Sequence, residues 1–339
     1  MPITSASAER SFSKLKLIKS YLRNQIGQER LKYLSLISIE SEAANKLDLR
    51  DLINEIAMCI GYQIATELAS RGCRVVLAQR TTDEVMKAEL IKETKNPNII
   101  LEYVDMSSFE SVRNLVGRMN ASLDKLDILI NNAGVGNSLD ALTKDGFTFL
   151  WQINYYSPFL LTYLLVDLLK KSDSGRIIFT GSILAHLHTV SARDIENNRI
   201  KSKIKVFDYV NTKFLTILAA DFFAMKLMKF NITSNSYHPG IVSTPIFEKT
   251  AQHYRGIMDR LALIFALILK MFSKKTVEEG AQTALHLAIA NEVANVTGEF
   301  YGENTKSCKP HGAHNEMLRE RVWKATEFSV GLKPEEILE

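Results

Sequence analysis

Cysteine is scarce in this chain of 339 residues, which contains only Cys59, Cys73 and Cys308. Their spacing matches no cysteine-based metal site, so we predict that the protein holds no metal. An odd number of cysteines also excludes a complete set of disulfides, the pattern of small secreted proteins. We therefore expect reduced thiols in an intracellular protein.

Long hydrophobic runs are also absent. The N-terminus is polar and charged, unlike a secretory signal. The most apolar stretch, residues 261–272, is interrupted by Lys270 and is too short to span a bilayer. We expect it to form a hydrophobic lid helix over a substrate, with contact to a membrane surface as the alternative. The expected location is the cytoplasm or the periphery of an internal membrane.

The chain has no large excess of charge of either sign. Its 42 lysines and arginines against 38 aspartates and glutamates give a net charge of +4, too small to indicate nucleic-acid binding by itself. The hydrophobic fraction of 46% and the charged fraction of 24% are ordinary for a soluble protein. The length suits one large α/β domain with an appendage, and we expect no nucleic-acid partner.

Glycine is missing between Gly27 and Gly61, and the region before Gly61 differs in pattern from the rest. Two amphipathic helices are predicted in it, because apolar residues recur at three- and four-residue steps. The first has the stripe Phe12, Leu15, Ile18 and Leu22, and the second begins near Gln28 with the stripe Leu31, Leu34 and Ile37. A third short helix is expected over residues 49–56.

From Gly61 onward, short apolar strands alternate with helices. The predicted strands are 74–78, 99–104, 128–130, 176–180, 232–237 and 298–301. The predicted helices are 61–71, 84–95, 109–123, 148–171, 209–229 and 277–290. This alternation is typical of a parallel sheet covered on both faces, so the predicted fold is a doubly wound α/β sheet of the Rossmann type.

Tyr209 and Lys213 form a Tyr-x-x-x-Lys pair near the start of a predicted helix. Side chains at this spacing leave the same helix face one turn apart. A lysine ammonium beside a phenol favours the phenolate and lowers the tyrosine pKa, which makes the tyrosine a usable general acid or base. The spacing alone is weak evidence, because it is common on solvated helix faces.

Other polar residues follow the predicted strands at the edge where ligands of open α/β sheets bind. Ser182 comes after strand 176–180, where its hydroxyl could bond a substrate oxygen, and Asn131-Asn132-Ala133-Gly134 comes after strand 128–130. Asn154 lies inside a helix, which for a buried asparagine indicates a hydrogen-bonded irregularity or a water relay. Strand 232–237 is followed by Pro239, Gly240 and Thr244, where a tight turn would bring backbone against a ligand.

These residues, in this order and at these strand ends, resemble the short-chain dehydrogenase/reductase family over residues 59–305. The finer resemblance is to its retinol-dehydrogenase-like branch. It rests on Leu126-Asp-Ile-Leu-Ile-Asn-Asn-Ala-Gly134, His238-Pro-Gly240 and Glu278-Glu-Gly-Ala-Gln282. The resemblance implies an NAD(P)-dependent oxidoreductase acting on a retinoid or another apolar alcohol, aldehyde or ketone.

The resemblance also implies a role for each matching residue. Tyr209 would give or take the proton, and Lys213 would bind the nicotinamide ribose and tune Tyr209. Ser182 would orient the substrate carbonyl, and Asn154 would hold a proton-relay water. The cofactor would also contact Gly61, Asn132, Ala133, Gly134, Pro239, Gly240 and Thr244.

Two residues bear on the adenosine end of the cofactor. Arg80 follows strand 74–78, where an NAD-preferring site would offer an acidic side chain, so arginine favours NADP. The alternative is a solvated surface arginine. Asp105 matches the aspartate that bonds the adenine in this family, and its alternative is a helix cap for Ser107 onward.

The phosphate-binding turn of the family is incomplete. The pattern is Thr-Gly-x-x-x-Gly-x-Gly, of which only the last glycine is present as Gly61, with Cys59 at the position of the second. No apolar strand immediately precedes this position. We therefore predict a sheet that lacks its normal first strand or fills its place with a surrogate such as residues 33–39, and weak or lost NADP binding.

Residues 1–57 resemble the C-terminal dimerisation region of hAT-superfamily transposases. The resemblance rests on Ser5-Ala-Ser-Ala-Glu-Arg-Ser-Phe-Ser13, Leu15-Lys-Leu-Ile-Lys-Ser-Tyr-Leu-Arg23 and Gln28-Glu-Arg-Leu31. Glu9 matches an acidic metal ligand of such transposases, but its two aspartate partners are missing, so here it is interpreted as a helix-start carboxylate. The chain is interpreted as a fusion of a helical dimerisation segment (1–57) and an N-terminally truncated dehydrogenase domain (58–339).

Two classes of function follow from this division. The first is an NADP-dependent oxidoreductase with complete catalytic residues and an impaired cofactor turn. The second is a catalytically inactive interaction protein that forms a homodimer through its N-terminal segment. Cofactor binding discriminates between them, and the oligomeric state tests the segment.

Overall fold

The computed structural model describes residues 34–38, 60–136, 142–196, 205–242 and 275–338. The two predicted N-terminal helices up to residue 33, the helix over residues 49–56 and the lid helix 261–272 lie outside these ranges. Thr244 also lies outside them.

The described residues form one eight-stranded sheet in the order β3-β2-β1-β4-β5-β6-β7-β8. All neighbouring strands are parallel except β7 and β8. The strands are β1 Leu34–Ser38, β2 Arg74–Gln79, β3 Ile99–Tyr103, β4 Ile128–Asn131, β5 Gly175–Thr180, β6 Ile232–His238, β7 Phe300–Gly302 and β8 Thr305–Lys306. The predicted doubly wound parallel sheet is confirmed.

Ten α-helices connect and cover these strands in the described residues. They are α1 Ile60–Ser70, α2 Glu84–Thr94, α3 Phe109–Ser122, α4 Phe149–Trp151, α5 Ser157–Leu164, α6 Val166–Leu169, α7 Ala192–Glu196, α8 Lys205–Leu227, α9 Val277–Ile289 and α10 Glu316–Ser329. Two hydrophobic clusters fill the space between helices and sheet, one on each face. Helices α1, α2 and α9 contribute to one cluster, and α3, α5, α8 and α10 contribute to the other.

Strand β1 occupies the place of the first strand, in the centre of the sheet. Leu36 pairs with Val76 of β2 and with Leu129 of β4, both in parallel register. The surrogate strand expected over residues 33–39 is therefore present. The helical expectation for Leu34 and Ile37 is wrong, because both residues lie in this strand.

The helix predicted over residues 148–171 is interrupted twice. A π-helical turn, Gln152–Tyr156, separates α4 from α5, and residue 165 separates α5 from α6. The wider turn ends at Tyr156, two residues before Pro158, which has no backbone N–H for the helical ladder. The irregularity expected at Asn154 is thus a local widening of the helix.

The C-terminal helix α10 was not predicted from the sequence. It packs on α5 and α8 through Trp323, whose ring centroid lies 4.8 Å from that of Phe159, 4.8 Å from that of Phe222 and 5.0 Å from that of Phe223. In the parts of the chain that the structure describes, no helix is long and apolar enough to cross a membrane.

Candidate active site

Helix α8, which carries Tyr209 and Lys213, packs against β5 and β6, and Lys213 lies where β5 ends. Lys213 is 4% exposed, and its amine lies 5.9 Å from the centroid of the Tyr209 ring. The two residues therefore share a buried helix face, as the four-residue spacing predicted.

Ser182 lies directly opposite Tyr209. It follows β5 and begins a 3-10 turn, Ile183–Leu187, with its hydroxyl oxygen accepting a hydrogen bond of 3.2 Å from the backbone N–H of Leu184. The hydroxyl groups of Ser182 and Tyr209 share a hydrogen bond. The sequence-predicted pair of hydroxyl groups is thus brought together at the sheet edge.

Burial raises the pKa of Tyr209, while the hydrogen bond with Ser182 acts to lower it. This differs from the lowering expected from a neighbouring ammonium. The reason is that the Lys213 amine donates a 2.8 Å hydrogen bond to the carbonyl oxygen of Thr180 rather than to the phenol. Tyr209 is consequently held in its protonated form, which can donate to a carbonyl oxygen.

Burial lowers the pKa of Lys213 to about 8. The amine has three donors, and the Thr180 carbonyl accepts one of them. An ammonium in this position is costly to bury, which is typical of a functional lysine rather than a structural one.

Lys213→Met is expected to raise the free energy of unfolding at pH 7 by up to about 3 kcal/mol, because burial in the folded chain lowers the pKa of Lys213 from its ordinary value of 10.5 to about 8. The destabilisation caused by burying the Lys213 amine is complete below pH 8. It decreases as the pH rises toward 10.5, where the lysine of the unfolded chain also loses its proton. Urea unfolding at pH 7, 8 and 9 should show that the difference in free energy of unfolding between the variant and the parent chain decreases as the pH rises. Lys324→Met, at an exposed lysine, is the control, and an advantage that does not change with pH would contradict the prediction.

Asn154 connects the π-helical turn to the loop after β4 through hydrogen bonds. Its side-chain oxygen accepts a 2.7 Å hydrogen bond from the Val135 N–H, and its amide donates to the Val135 carbonyl at 2.9 Å. The same amide donates to the Thr212 hydroxyl at 3.2 Å, and the Asn154 carbonyl accepts from the Thr216 hydroxyl at 3.2 Å. Asn154 therefore positions the β4 loop against α8.

The backbone of Gly134 lies close to the side chains of Lys213 and Asn154. A Cβ at Gly134 would lie 3.2 Å from the Lys213 amine and 3.5 Å from the side-chain oxygen of Asn154. Ala133 is buried, and Asn132 is half-buried beside it. Of the three loop residues predicted to meet a cofactor, Gly134 is thus placed against Lys213 and Asn154.

The turn after β6 lies at the same edge. Gly240 has a φ of +80°, which L side chains rarely adopt. The side chain of Lys275 lies across it, since a Cβ at Gly240 would be 2.9 Å from both the Cδ and the Nζ of Lys275. The Lys275 amine also lies 3.5 Å from the Pro239 carbonyl oxygen and forms an ion pair with Glu303.

The predicted adenosine and phosphate residues lie further along the edge. Gly61 is the second residue of α1, and Arg80 follows the end of β2 in a half-buried position. Asp105 accepts hydrogen bonds from the N–H of Ser107 at 2.9 Å and from its hydroxyl at 2.6 Å. Asp105 thus stabilises the turn that leads into α3, whose N-cap is Ser108. Thr244 is outside the described residues.

Three residues of the site were missed by the sequence reasoning. Thr180 accepts from Lys213, Thr212 bridges Asn154 and the Tyr209 carbonyl, and Lys275 covers Gly240. Thr212 was detectable, because it lies inside the Tyr-x-x-x-Lys segment. Lys275 carries no local signal, since its partners are distant in sequence.

No metal site accompanies this cluster within the described ranges. Among those residues, no three histidine, cysteine, aspartate or glutamate side chains are grouped so that they could hold a metal ion. The thiols of Cys73 and Cys308 are free.

Two family models match separate parts of the chain. The model described as short chain dehydrogenase matches residues 56–193. The model of the hAT family C-terminal dimerisation region matches residues 1–43. The second match includes β1, so a strand at the centre of the sheet lies in the transposase-like segment.

The similarity to known relatives and solved structures covers more of the chain than the short chain dehydrogenase model does. Retinol dehydrogenase 12 of Homo sapiens is 31% identical over 278 residues, which cover 81% of this chain and 84% of the relative. Retinol dehydrogenase 13 of Mus musculus is 34% identical over 283 residues, covering 80% and 81%. The crystal structure of L-sorbose reductase from Gluconobacter frateurii, complexed with NADPH and L-sorbose, superposes with a TM-score of 0.59 at 20% identity, covering 80% of this chain and 94% of that one.

Proposed function

The chain belongs to the short-chain dehydrogenase family, and on that premise we propose that it is an NADP-dependent oxidoreductase for an apolar alcohol, aldehyde or ketone, with impaired cofactor binding. The observation that carries the proposal is the convergence of Tyr209, Ser182, Lys213 and Asn154 at one sheet edge. Its relatives at 31% and 34% identity are named retinol dehydrogenases, which supports an apolar substrate.

In the reduction direction, each residue has a definite task. The protonated Tyr209 hydroxyl donates a proton to the substrate oxygen, and the Ser182 hydroxyl bonds the same oxygen and orients the carbonyl. The positive charge of Lys213 offsets the negative charge left on the phenol. The cofactor, when bound, supplies the hydride.

The surface beside Ser182 supports an apolar substrate. Ile183 and Leu187, in the turn that Ser182 begins, are 40% and 57% exposed. Large apolar side chains directly beside a pair of catalytic hydroxyl groups offer contact area to a hydrocarbon chain. This surface discriminates against small hydrophilic substrates, since they gain nothing from it.

The residues fit one end of the cofactor better than the other. At the nicotinamide end, the bare backbone of Gly134 and the buried amine of Lys213 leave room for a ribose and a donor for its hydroxyl groups. Arg80 suits a 2′-phosphate. At the pyrophosphate end, the sequence between Gly27 and Gly61 contains no glycine, so the usual close approach of backbone N–H groups is impaired.

The most direct test of the proposal is the NADPH-dependent reductase activity of a repaired chain. In the repaired chain, an apolar β-strand followed by Thr-Gly-x-x-x-Gly-x replaces residues 1–60. The unmodified chain is expected to show little or no NADPH-dependent reduction of retinal, and the repaired chain is expected to reduce it. Tyr209→Phe should abolish the restored activity, because it removes the proton donor. Leu215→Met, a buried change on the same helix, is the control. A repaired chain that binds NADPH but stays inactive would refute the proposal.

A second candidate function is homodimerisation through the N-terminal segment, favoured by the match of residues 1–43 to a dimerisation region. An apolar stripe on the predicted helix that contains Phe12 could not be buried within that helix alone, so it would need a partner surface. Sedimentation of the full chain should show a dimer, which Phe12→Asp weakens and Ser13→Asp leaves intact. A monomer at all accessible concentrations would exclude this function.

A further inference from the structure

Residues 182–190, which we call the Ser182 segment, lead from the end of β5 toward α7. Two successive backbone hydrogen bonds run along the segment. The Ala185 N–H donates to the Ser182 carbonyl at 3.1 Å, and the His188 N–H donates to the Ala185 carbonyl at 3.2 Å. Ser182 and His188 are thus joined by one short hydrogen-bonded turn, so a constraint on the far end of the segment also constrains Ser182.

The far end of the Ser182 segment is held by Asn211, a buried residue of helix α8. The side-chain oxygen of Asn211 accepts hydrogen bonds from the backbone N–H of Thr189 at 2.8 Å and from that of Val190 at 3.2 Å. Its amide group also donates to the Thr189 hydroxyl at 3.4 Å. Neither Thr189 nor Val190 belongs to a helix or strand, so one side chain supplies the partner that secondary structure would otherwise give to two consecutive N–H groups.

His188 makes a second contact between the same end of the segment and α8. Its ring stacks on that of Phe214, with ring centroids 3.5 Å apart and 1° between the planes. The His188 Nε2 lies 2.7 Å from the carbonyl oxygen of His311, which can only accept, so Nε2 carries the hydrogen. A Cβ at Gly312 would lie 3.8 Å from the Phe214 ring and 3.9 Å from that of His188, so the chain after β8 packs against both rings.

Helix α8 therefore holds the Ser182 segment at both of its ends. Tyr209 shares a hydrogen bond with Ser182 at the start, and Asn211 bonds the two residues that follow His188 at the end. Each residue of an α-helix is turned by about 100° from the one before, so residues two apart point to nearly opposite sides. The segment is thus bonded to two sides of the helix that carries Tyr209 and Lys213.

We propose that Asn211 is a positioning residue of the reaction, which holds the Ser182 segment so that the Ser182 hydroxyl meets that of Tyr209. The inference rests on the proposed oxidoreductase function. Asn211 acts through Ser182 and does not itself contact the substrate. A displacement of a catalytic group by about 1 Å can slow a reaction about a hundredfold, so a hydrogen bond at the far end of the segment affects the rate.

Two variants of Asn211 separate the effect of the lost hydrogen bonds from that of a changed volume. Asn211→Leu has a similar size but no acceptor, whereas Asn211→Asp keeps an oxygen for both N–H groups. The matched control is Asn96→Leu, at another buried asparagine. The Asn96 side chain bonds backbone groups of residues 69, 73 and 98, at the amino ends of β2 and β3.

Amide hydrogen exchange of the unmodified chain tests the contact itself and needs neither cofactor nor substrate. Asn211→Leu is expected to raise the exchange rate of peptides from the Ser182 segment about tenfold, because the segment opens more often. Asn211→Asp and Asn96→Leu should leave this rate as it is in the parent chain. An unchanged rate in Asn211→Leu would overturn the inference.

The kcat for NADPH-dependent reduction of retinal by the repaired chain tests whether the contact acts through Ser182. Asn211→Leu is expected to lower kcat about tenfold, and Ser182→Ala to lower it about a hundredfold. Added to Ser182→Ala, Asn211→Leu should change kcat by less than about twofold, because the hydroxyl that Asn211 positions is already absent. Asn211→Asp and Asn96→Leu should keep the kcat of the repaired parent chain.

A purely structural role predicts a different result. Equal losses of kcat from Asn211→Leu with and without the Ser182 hydroxyl would overturn the inference, while the activity of the repaired chain would still support the proposed function. A repaired chain that binds NADPH but reduces no retinal overturns the proposed function, and this inference with it. If Asn211→Leu does not fold, the half-buried His188→Leu removes the hydrogen bond to His311 and is measured in the same two experiments, with the same expected changes in exchange and kcat.

Discussion

Calorimetry is expected to show that NADPH binds the unmodified chain between about a hundred and about ten thousand times more weakly than the repaired chain. A backbone N–H bonded to a charged phosphate contributes roughly 1.5–3 kcal/mol. Losing two or three such bonds costs about 3–6 kcal/mol, which corresponds to that range of dissociation constants.

The expected loss is confined to the pyrophosphate. In the proposed cofactor site, Gly134 lies beside Lys213, and Arg80 and Asp105 follow the ends of β2 and β3. None of these groups can replace several converging N–H groups. Micromolar binding of NADPH by the unmodified chain would contradict the prediction.

A matched control isolates the turn itself. In the repaired chain, a cysteine is placed at the second glycine of the motif, the position that Cys59 occupies in the natural sequence. Most of the affinity should be lost again, because a side chain there prevents the phosphate from approaching the backbone. Full affinity in this control would assign the weakness to another part of the N-terminal segment.

Leu36→Pro is expected to destabilise the whole dehydrogenase fold by about 3–5 kcal/mol. Leu36 lies in the middle of β1, between β2 and β4, so proline removes an N–H from a central ladder and leaves a buried carbonyl unpaired. A loss of this size is a large fraction of the total stability of a typical domain. Thermal and urea unfolding of the full chain would measure it.

Leu22→Pro provides the control. This substitution also places a proline in the transposase-like segment. It lies in the apolar stripe of a predicted helix that precedes β1. We expect it to affect association and to leave the unfolding of the dehydrogenase sheet unchanged. Equal destabilisation by both prolines, or by neither, would show that β1 has no special role in the sheet.

The sequence predicted the six strands from β2 to β7 to within two residues at each end, because runs such as Arg74–Gln79 are apolar, β-branched and bounded by turns. It also predicted that Tyr209 and Lys213 lie on one face of a helix, since they are four residues apart. Local patterns of this kind need no knowledge of distant contacts.

Strand β1 shows the limit of such patterns. Leu34-Ser-Leu-Ile-Ser38 has apolar residues at positions that fit a helix stripe and a strand equally well. The choice between helix and strand is decided by the gap between β2 and β4. A strand in that gap forms hydrogen bonds with both neighbouring strands. The position of Lys275 was missed for a similar reason, because its contact with Gly240 joins residues far apart in the sequence.

The buried ammonium of Lys213 bears on the history of the chain. A copy released from selection for catalysis would gain stability from almost any apolar replacement of this lysine, because burial opposes its charge. Lys213, beside Tyr209, Ser182 and Asn154, therefore lowers the stability of the fold, and selection for its function is what opposes its replacement.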